Sequence, residues 1–145
     1  FFNSNMKIIS FNFDKISAEK KKSLKEKTDI NVNIDLKSVE EEKIDIVKDQ
    51  NLLKFNFEFK VSYKPDIADL VFSGFVLAIL EKEQHKETLK KWKTKKISEN
   101  IRIPLFNTIL TRCNLKALQL EEELNLPAHI PFPRIQQQTQ TSYTG

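Results

Sequence analysis

The sequence predicts an α+β fold, a four-stranded antiparallel sheet with a long C-terminal helix packed on one face, on three observations. Apolar and polar residues alternate in three separate stretches, at the two-residue period of a half-buried strand. A fourth stretch, Ala68 to Leu80, is apolar on both alternate sets, and its β-branched and aromatic residues around Gly74 favour a strand over a helix. Beyond Pro104 the apolar residues switch to three- and four-residue spacing as far as Leu124. That is the stripe of an amphipathic helix of about five to six turns.

The first strand is carried by Ile9, Phe11 and Phe13, with Ser10 and Asn12 between them, and is expected to run to Ile16. Ser17 to Asp29 holds a single large apolar residue, Leu24, and reads as a solvated connection with room for a short helix. Ile30, Val32, Ile34 and Leu36 alternate with Asn31, Asn33 and Asp35 as strand two. Glu40 to Lys43 then reads as a loop, Ile44 to Val47 as a short extension, and Asp49-Gln50-Asn51 as a turn. Strand three is the clearest: Leu53, Phe55, Phe57, Phe59, Val61 and Tyr63 point one way, and this apolar set reads as core, with an aromatic platform for polypeptide clients as the alternative. Lys64-Pro65-Asp66 ends it, because proline has no amide hydrogen to give to a ladder.

Glu81 to Lys96 is charged and helix-prone, with Leu89 and Trp92 as its apolar points, and reads as a surface helix or arm. Pro104 is placed as the start of the long helix. Phe106, Ile109, Leu110, Cys113, Ala117, Leu120 and Leu124 form its buried stripe, widened by Leu105, Leu115 and Leu118. Asn125 closes the helix, and Pro127, Pro131 and Pro133 force an extended exit. Residues 1–5, ahead of the first Met, and the polar stretch 136–145 are expected to lie outside the fold, which leaves 6–135 as a single domain.

With 145 residues, 39% hydrophobic and 30% charged, the chain can bury one core. Its two glycines, Gly74 and Gly145, cannot build the glycine-rich loops that cradle phosphates. One cysteine (Cys113) and two histidines (His85, His129) supply neither a disulfide framework nor a thiolate zinc site. No cofactor and no metal is therefore expected, and no recognisable constellation of titratable groups marks an enzyme. Cys113 falls on the helix stripe and reads as an inert buried thiol, His85 as a solvated helix residue, and His129 as a surface or capped histidine. The longest apolar run, Phe75 to Leu80, is too short for a membrane span, so no membrane insertion and a cytoplasmic location are expected.

The net charge of +4 equals that of residues 81–96 alone, where seven lysines face three glutamates. Such a run ordinarily means a solvated helix face. The alternative is a nucleic-acid-binding or scaffold role for the lysines around Trp92. Apolar residues on both sets of Leu70 to Leu80, together with a helix stripe wider than one face, exceed what about 130 residues can hide, so a dimer or a dimer of dimers is expected.

The order of these elements resembles the SecB family of export chaperones, including archaeal and toxin-antitoxin-associated relatives. Ile9 to Ile16 resembles the family's first strand, Ile30 to Leu36 its second, Phe55 to Tyr63 its third, and Ala68 to Val76, with its glycine, its fourth. Ile103-Pro104-Leu105-Phe106 and the helix to Leu124 resemble the family's main helix, and Asn125 to Phe132 its exit. The resemblance implies a cytoplasmic homotetramer that holds unfolded or pre-secretory polypeptides without ATP. Extended clients are expected in an exposed apolar groove lined by Leu70, Phe72, Leu126, Ile130 and Phe132, since the three prolines hold the exit off the core.

Overall fold

The computed structural model describes residues 6–24, 27–43 and 51–131. The expected extension at Ile44 to Val47, Phe132 and both chain ends lie outside them. Four strands, β1 (Met6–Lys20), β2 (Asp29–Glu42), β3 (Leu52–Lys64) and β4 (Ala68–Leu80), precede two helices, α1 (Lys82–Trp92) and α2 (Glu99–Glu123). The strands form one antiparallel sheet in the order β1-β4-β3-β2. The connection from β1 to β2 therefore joins the two edges of the sheet, and β2, β3 and β4 follow as a meander. This is the α+β architecture that the sequence predicts.

The core is built outward from β3, whose Leu53, Phe55, Phe57, Phe59, Val61 and Tyr63 are all buried. Their register partners on β4 include Leu70 for Val61, Phe72 for Phe59 and Val76 for Phe55. Antiparallel partners share a face, so this pairing selects one of the two apolar sets of β4 for the interior. The other set, Val71, Phe75, Leu77 and Ile79, stays half-buried on the opposite face. Phe59 stacks on Phe72 with centroids 5.7 Å apart, and Phe11 of β1 stacks on Phe57 at 5.2 Å. Gly74 pairs with Phe13, where a Cβ would lie 1.9 Å from the Asn12 carbonyl oxygen; glycine alone allows β1 to come this close.

β1 departs from simple alternation. Ile9 is 37% exposed, whereas Met6 and Ile8 pack on the core together with Phe11 and Phe13. The register shifts between Ile8 and Ser10, and one extra residue exchanges the two faces of a strand. β1 also continues beyond Ile16, because Ser17 to Lys20 pair with Val71 to Ala68 through backbone bonds that need no apolar side chains. Past its end, Lys21 and Lys22 donate backbone hydrogen bonds to the Ile67 carbonyl, and Lys21 Nζ lies 3.0 Å from both Asp66 and Asp69. These two carboxylates hold the Lys21 ammonium above the ordinary lysine range, and Lys21 in turn holds Asp66 below the usual carboxylate range. β2 likewise runs to Glu42, so Glu40 to Glu42 belong to the ladder and not to a loop.

α2 lies on the buried face and sends Ile101, Leu105, Ile109, Cys113, Ala117 and Glu121 into the core at every fourth position. It begins at Glu99, ahead of the expected start at Pro104. The added turn is closed by Ile101 and Arg102 donating to the Ser98 carbonyl and anchored by the buried Ile101, which outweighs the backbone bond that Pro104 cannot make. At the other end Asn125 takes a left-handed conformation, φ 56°, while Leu126 N–H donates to Glu121 and Asn125 N–H to Glu122. This closure ends the helix where the sequence places the end. Lys20 Nζ adds a 3.0 Å bond to the Leu124 carbonyl, at the negative end of the helix dipole.

α1 is a packed helix and not an arm. Its inner side carries His85, Thr88, Leu89 and Trp92, and His85, expected to be solvated, is buried. The His85 ring lies 3.7 Å from the Glu41 carboxylate of β2.

Candidate functional site

Two concave apolar surfaces flank the helices. The first, about 420 Å³, opens beside β2, which is a free edge of the sheet. Ile34 and Leu36 form its strand wall, Trp92 and Ile97 come from the end of α1 and the link to α2, and Phe106 comes from the first turns of α2. The fold assembles them simply: Ile34 and Leu36 share the face of β2 that covers the core, and the α1–α2 link crosses above them. Three charged residues complete the lining, Asp35, Lys37 and Lys95. Asn33 donates to Asp35 at 3.3 Å, and Lys37 lies 3.8 Å from Glu58. Beyond this wall the edge of β2 has no strand partner among the described residues.

The second groove, about 610 Å³, runs between α2 and the extended exit and is lined by Leu115, Leu118, Gln119, Glu121, Glu122, Leu126 and Ala128. Its floor is a buried polar cluster. His129 Nδ1 lies 2.8 Å from Glu121 Oε2, the His129 backbone N–H donates to Glu121 Oε1 at 3.1 Å, and His129 Nε2 lies 2.8 Å from Asn114 Oδ1. The side chains of His129 and Glu121 are both almost wholly excluded from solvent. Tyr63 adds its hydroxyl from β3, donating 2.5 Å to the Pro127 carbonyl. Burial pushes the Tyr63 hydroxyl well above the ordinary tyrosine range, and the charge of Glu121 pushes in the same direction. The expectation of a surface or capped histidine is corrected in that the His129 side chain is buried, against a carboxylate that α2 supplies eight positions earlier. One sequence signal marks it, since Glu121 continues the fourfold series Ile109, Cys113 and Ala117.

Of the five residues expected to line a single groove, the four that are described do not share one. Leu70 and Phe72 lie wholly inside the core, because the register with β3 turns their set inward, and no ligand reaches them in this chain. Leu126 is nearly buried and lines the second groove, and Ile130 is half-buried in the exit. Phe132 lies outside the described residues. The sequence reading did not single out Ile34, Leu36, Ile97 or Phe106 as site residues, since these come from three elements that only the fold brings together.

The remaining chemistry is sparse. Cys113 is buried on the α2 stripe, and burial pushes its thiol up to about 12, away from nucleophilic use. Among the described residues no three His, Cys, Asp or Glu side chains cluster to hold a metal ion, and no helix is long and apolar enough to cross a membrane. No protein-family model matches the sequence, and no curated protein does. The fold is similar to that of the Mycobacterium tuberculosis SecB-like chaperone Rv1957, solved in complex with a ChAD peptide from the Rv1956 HigA1 antitoxin. The TM-score is 0.61 over 90% of this chain and 91% of that one, at 9% sequence identity, so the two share a SecB-like fold.

Proposed function

We propose that this protein is an ATP-independent holdase that binds unfolded or extended polypeptides. The observation that carries the reading is the apolar groove beside the free edge of β2. An extended chain that adds to such an edge gains main-chain hydrogen bonds from the strand, while alternate side chains drop into the adjoining cavity. Ile34, Leu36, Trp92, Ile97 and Phe106 offer area without directional demands, which suits clients of many sequences. The SecB-like fold, shared with a chaperone solved with a bound peptide, supports the same reading. Leu126, in the second groove, and Ile130, in the exit, would offer a separate apolar contact. On this reading the working form is a cytoplasmic homo-oligomer whose clients include pre-secretory chains.

The test is light scattering from a chemically unfolded client diluted into buffer with and without the protein. Suppression that persists as salt rises is expected, because apolar contacts are not screened. The double variant Ile34→Ser/Phe106→Ser, first checked by circular dichroism for an intact fold, is expected to lose most of that protection. Full protection by the folded variant would remove the β2 groove from the mechanism, and no suppression by the wild-type chain would end the holdase reading.

A further inference from the structure

The β2 groove has a charged rim that its apolar lining does not require. Trp92 and Ile97, which both line it, are joined by Lys93-Thr94-Lys95-Lys96, and of these Lys95 is itself part of the lining, with Lys93 and Lys96 its close neighbours in the chain. Lys93, Lys95 and Lys96 are exposed, and none forms an ion pair among the described residues; the ion pair of this segment is Lys91 with Glu87 at 3.9 Å. The turn that sets this border is fixed. Lys95 has φ 62°, a conformation that favours glycine, and is held there by its N–H donating to Trp92 and by Lys96 N–H donating to Lys91. Lys95 Nζ stands 5.0 Å from the centre of the Trp92 ring, so its charge sits at the groove wall. On the opposite wall Lys37 faces Glu58, which leaves Asp35 as the one carboxylate of the lining against Lys95 and its neighbours Lys93 and Lys96.

We propose that this groove selects extended polypeptide segments whose apolar anchors are flanked by aspartate or glutamate. The proposal rests on the holdase reading and names its client class. Charge complementarity carries it: a client seated on Ile34 and Trp92 brings its flanking residues past ammonium groups with no carboxylate of their own. A nucleic-acid strand fits less well, because such strands bind by stacking successive bases on several aromatic side chains, and Trp92 is the one aromatic residue of the lysine segment.

The experiment uses three labelled peptides that share one apolar core and carry acidic, neutral or basic flanks, with Kd read by fluorescence anisotropy on the full chain. At low salt the acidic peptide is expected to bind about tenfold more tightly than the neutral one, the scale of two or three exposed ion pairs, with the basic peptide weakest. The three values should converge near 1 M salt, where screening acts within about 3 Å. Lys93→Glu/Lys96→Glu, confirmed folded, should reverse the order of the acidic and basic peptides. Equal affinities for all three peptides would overturn the charge preference and leave the holdase reading standing, whereas no binding of any peptide would remove both. An oligothymidylate that displaces the acidic peptide better than the unlabelled peptide does would overturn the proposal in favour of nucleic acid.

Discussion

Two buried protons give this protein a defined alkaline weakness. The Cys113 thiol, ordinarily near 9.0, is pushed up to about 12 by burial, and the Tyr63 hydroxyl is raised by burial and by the charge of Glu121. Above the ordinary thiol value the unfolded chain releases protons that the folded chain keeps. The folded state then binds more protons than the unfolded one, so stability falls as pH rises. The Cys113 contribution is whole below about pH 9 and is lost through about pH 12, with a slope of at most about 1.4 kcal/mol per pH unit for each such group. Urea midpoints measured from neutral pH upward should hold level and then decline above about pH 9, and Cys113→Ala should flatten the first part of that decline. A thiol reagent should label Cys113 only after unfolding; labelling of the folded chain at neutral pH would mean that water reaches the α2 stripe.

At the scale of elements, Glu121 and His129 fasten the exit segment to α2. Removing Glu121 leaves His129 Nδ1 and the His129 backbone N–H without their partner, though Asn114 stays at Nε2. A buried polar group left unsatisfied typically costs about 1–3 kcal/mol, while replacing both members of a buried pair by apolar groups of similar size is close to neutral. Glu121→Ala should therefore lower the free energy of unfolding by about that amount, and Glu121→Leu/His129→Phe should recover most of it, with urea denaturation as the measurement. A loss below about 1 kcal/mol in the single variant would mean that the exit only rests on the helix. This pair also marks where the sequence stops being legible. β3 and β4 could be bounded from the sequence, since their apolar patterns match the ladder they form. Which set of β4 turns inward could not, because the choice is made by register with β3, and that choice removes Leu70 and Phe72 from the site. The bulge at Ile9 and the helical turn ahead of Pro104 escaped for a related reason: each is settled by a partner strand or by burial of Ile101, and not by local pattern. Glu121, His129 and His85 escaped because a charged or titratable residue reads as solvated until the element facing it is known.

For the whole molecule, the question is what covers the second face of the sheet. Both helices take the face defined by Phe55, Phe57 and Phe59, and the outer set of β4, Val71, Phe75, Leu77 and Ile79, belongs to no core among the described residues. Ile9 and Ile16 stand exposed along β1, the other edge of the sheet, which has no strand partner on its outer side among the described residues. An edge of this length beside exposed isoleucines invites pairing with a second copy about a twofold axis, where each β1 meets the other in antiparallel and both edges close at once. Oligomerisation would also serve the proposed activity, since weak contacts of one long client with several grooves add through effective concentration. Sedimentation at tens of micromolar, a concentration typical of weak association, is expected to give a dimer or a dimer of dimers. Ile9→Lys/Ile16→Lys should shift the protein toward monomer with its helical signal intact, because both side chains already face solvent and their loss leaves the core untouched. A wild-type monomer at that concentration would show that the exposed edge is protected by its own charged residues, Lys7, Asp14, Lys15 and Glu19, and that any client is held by a single subunit.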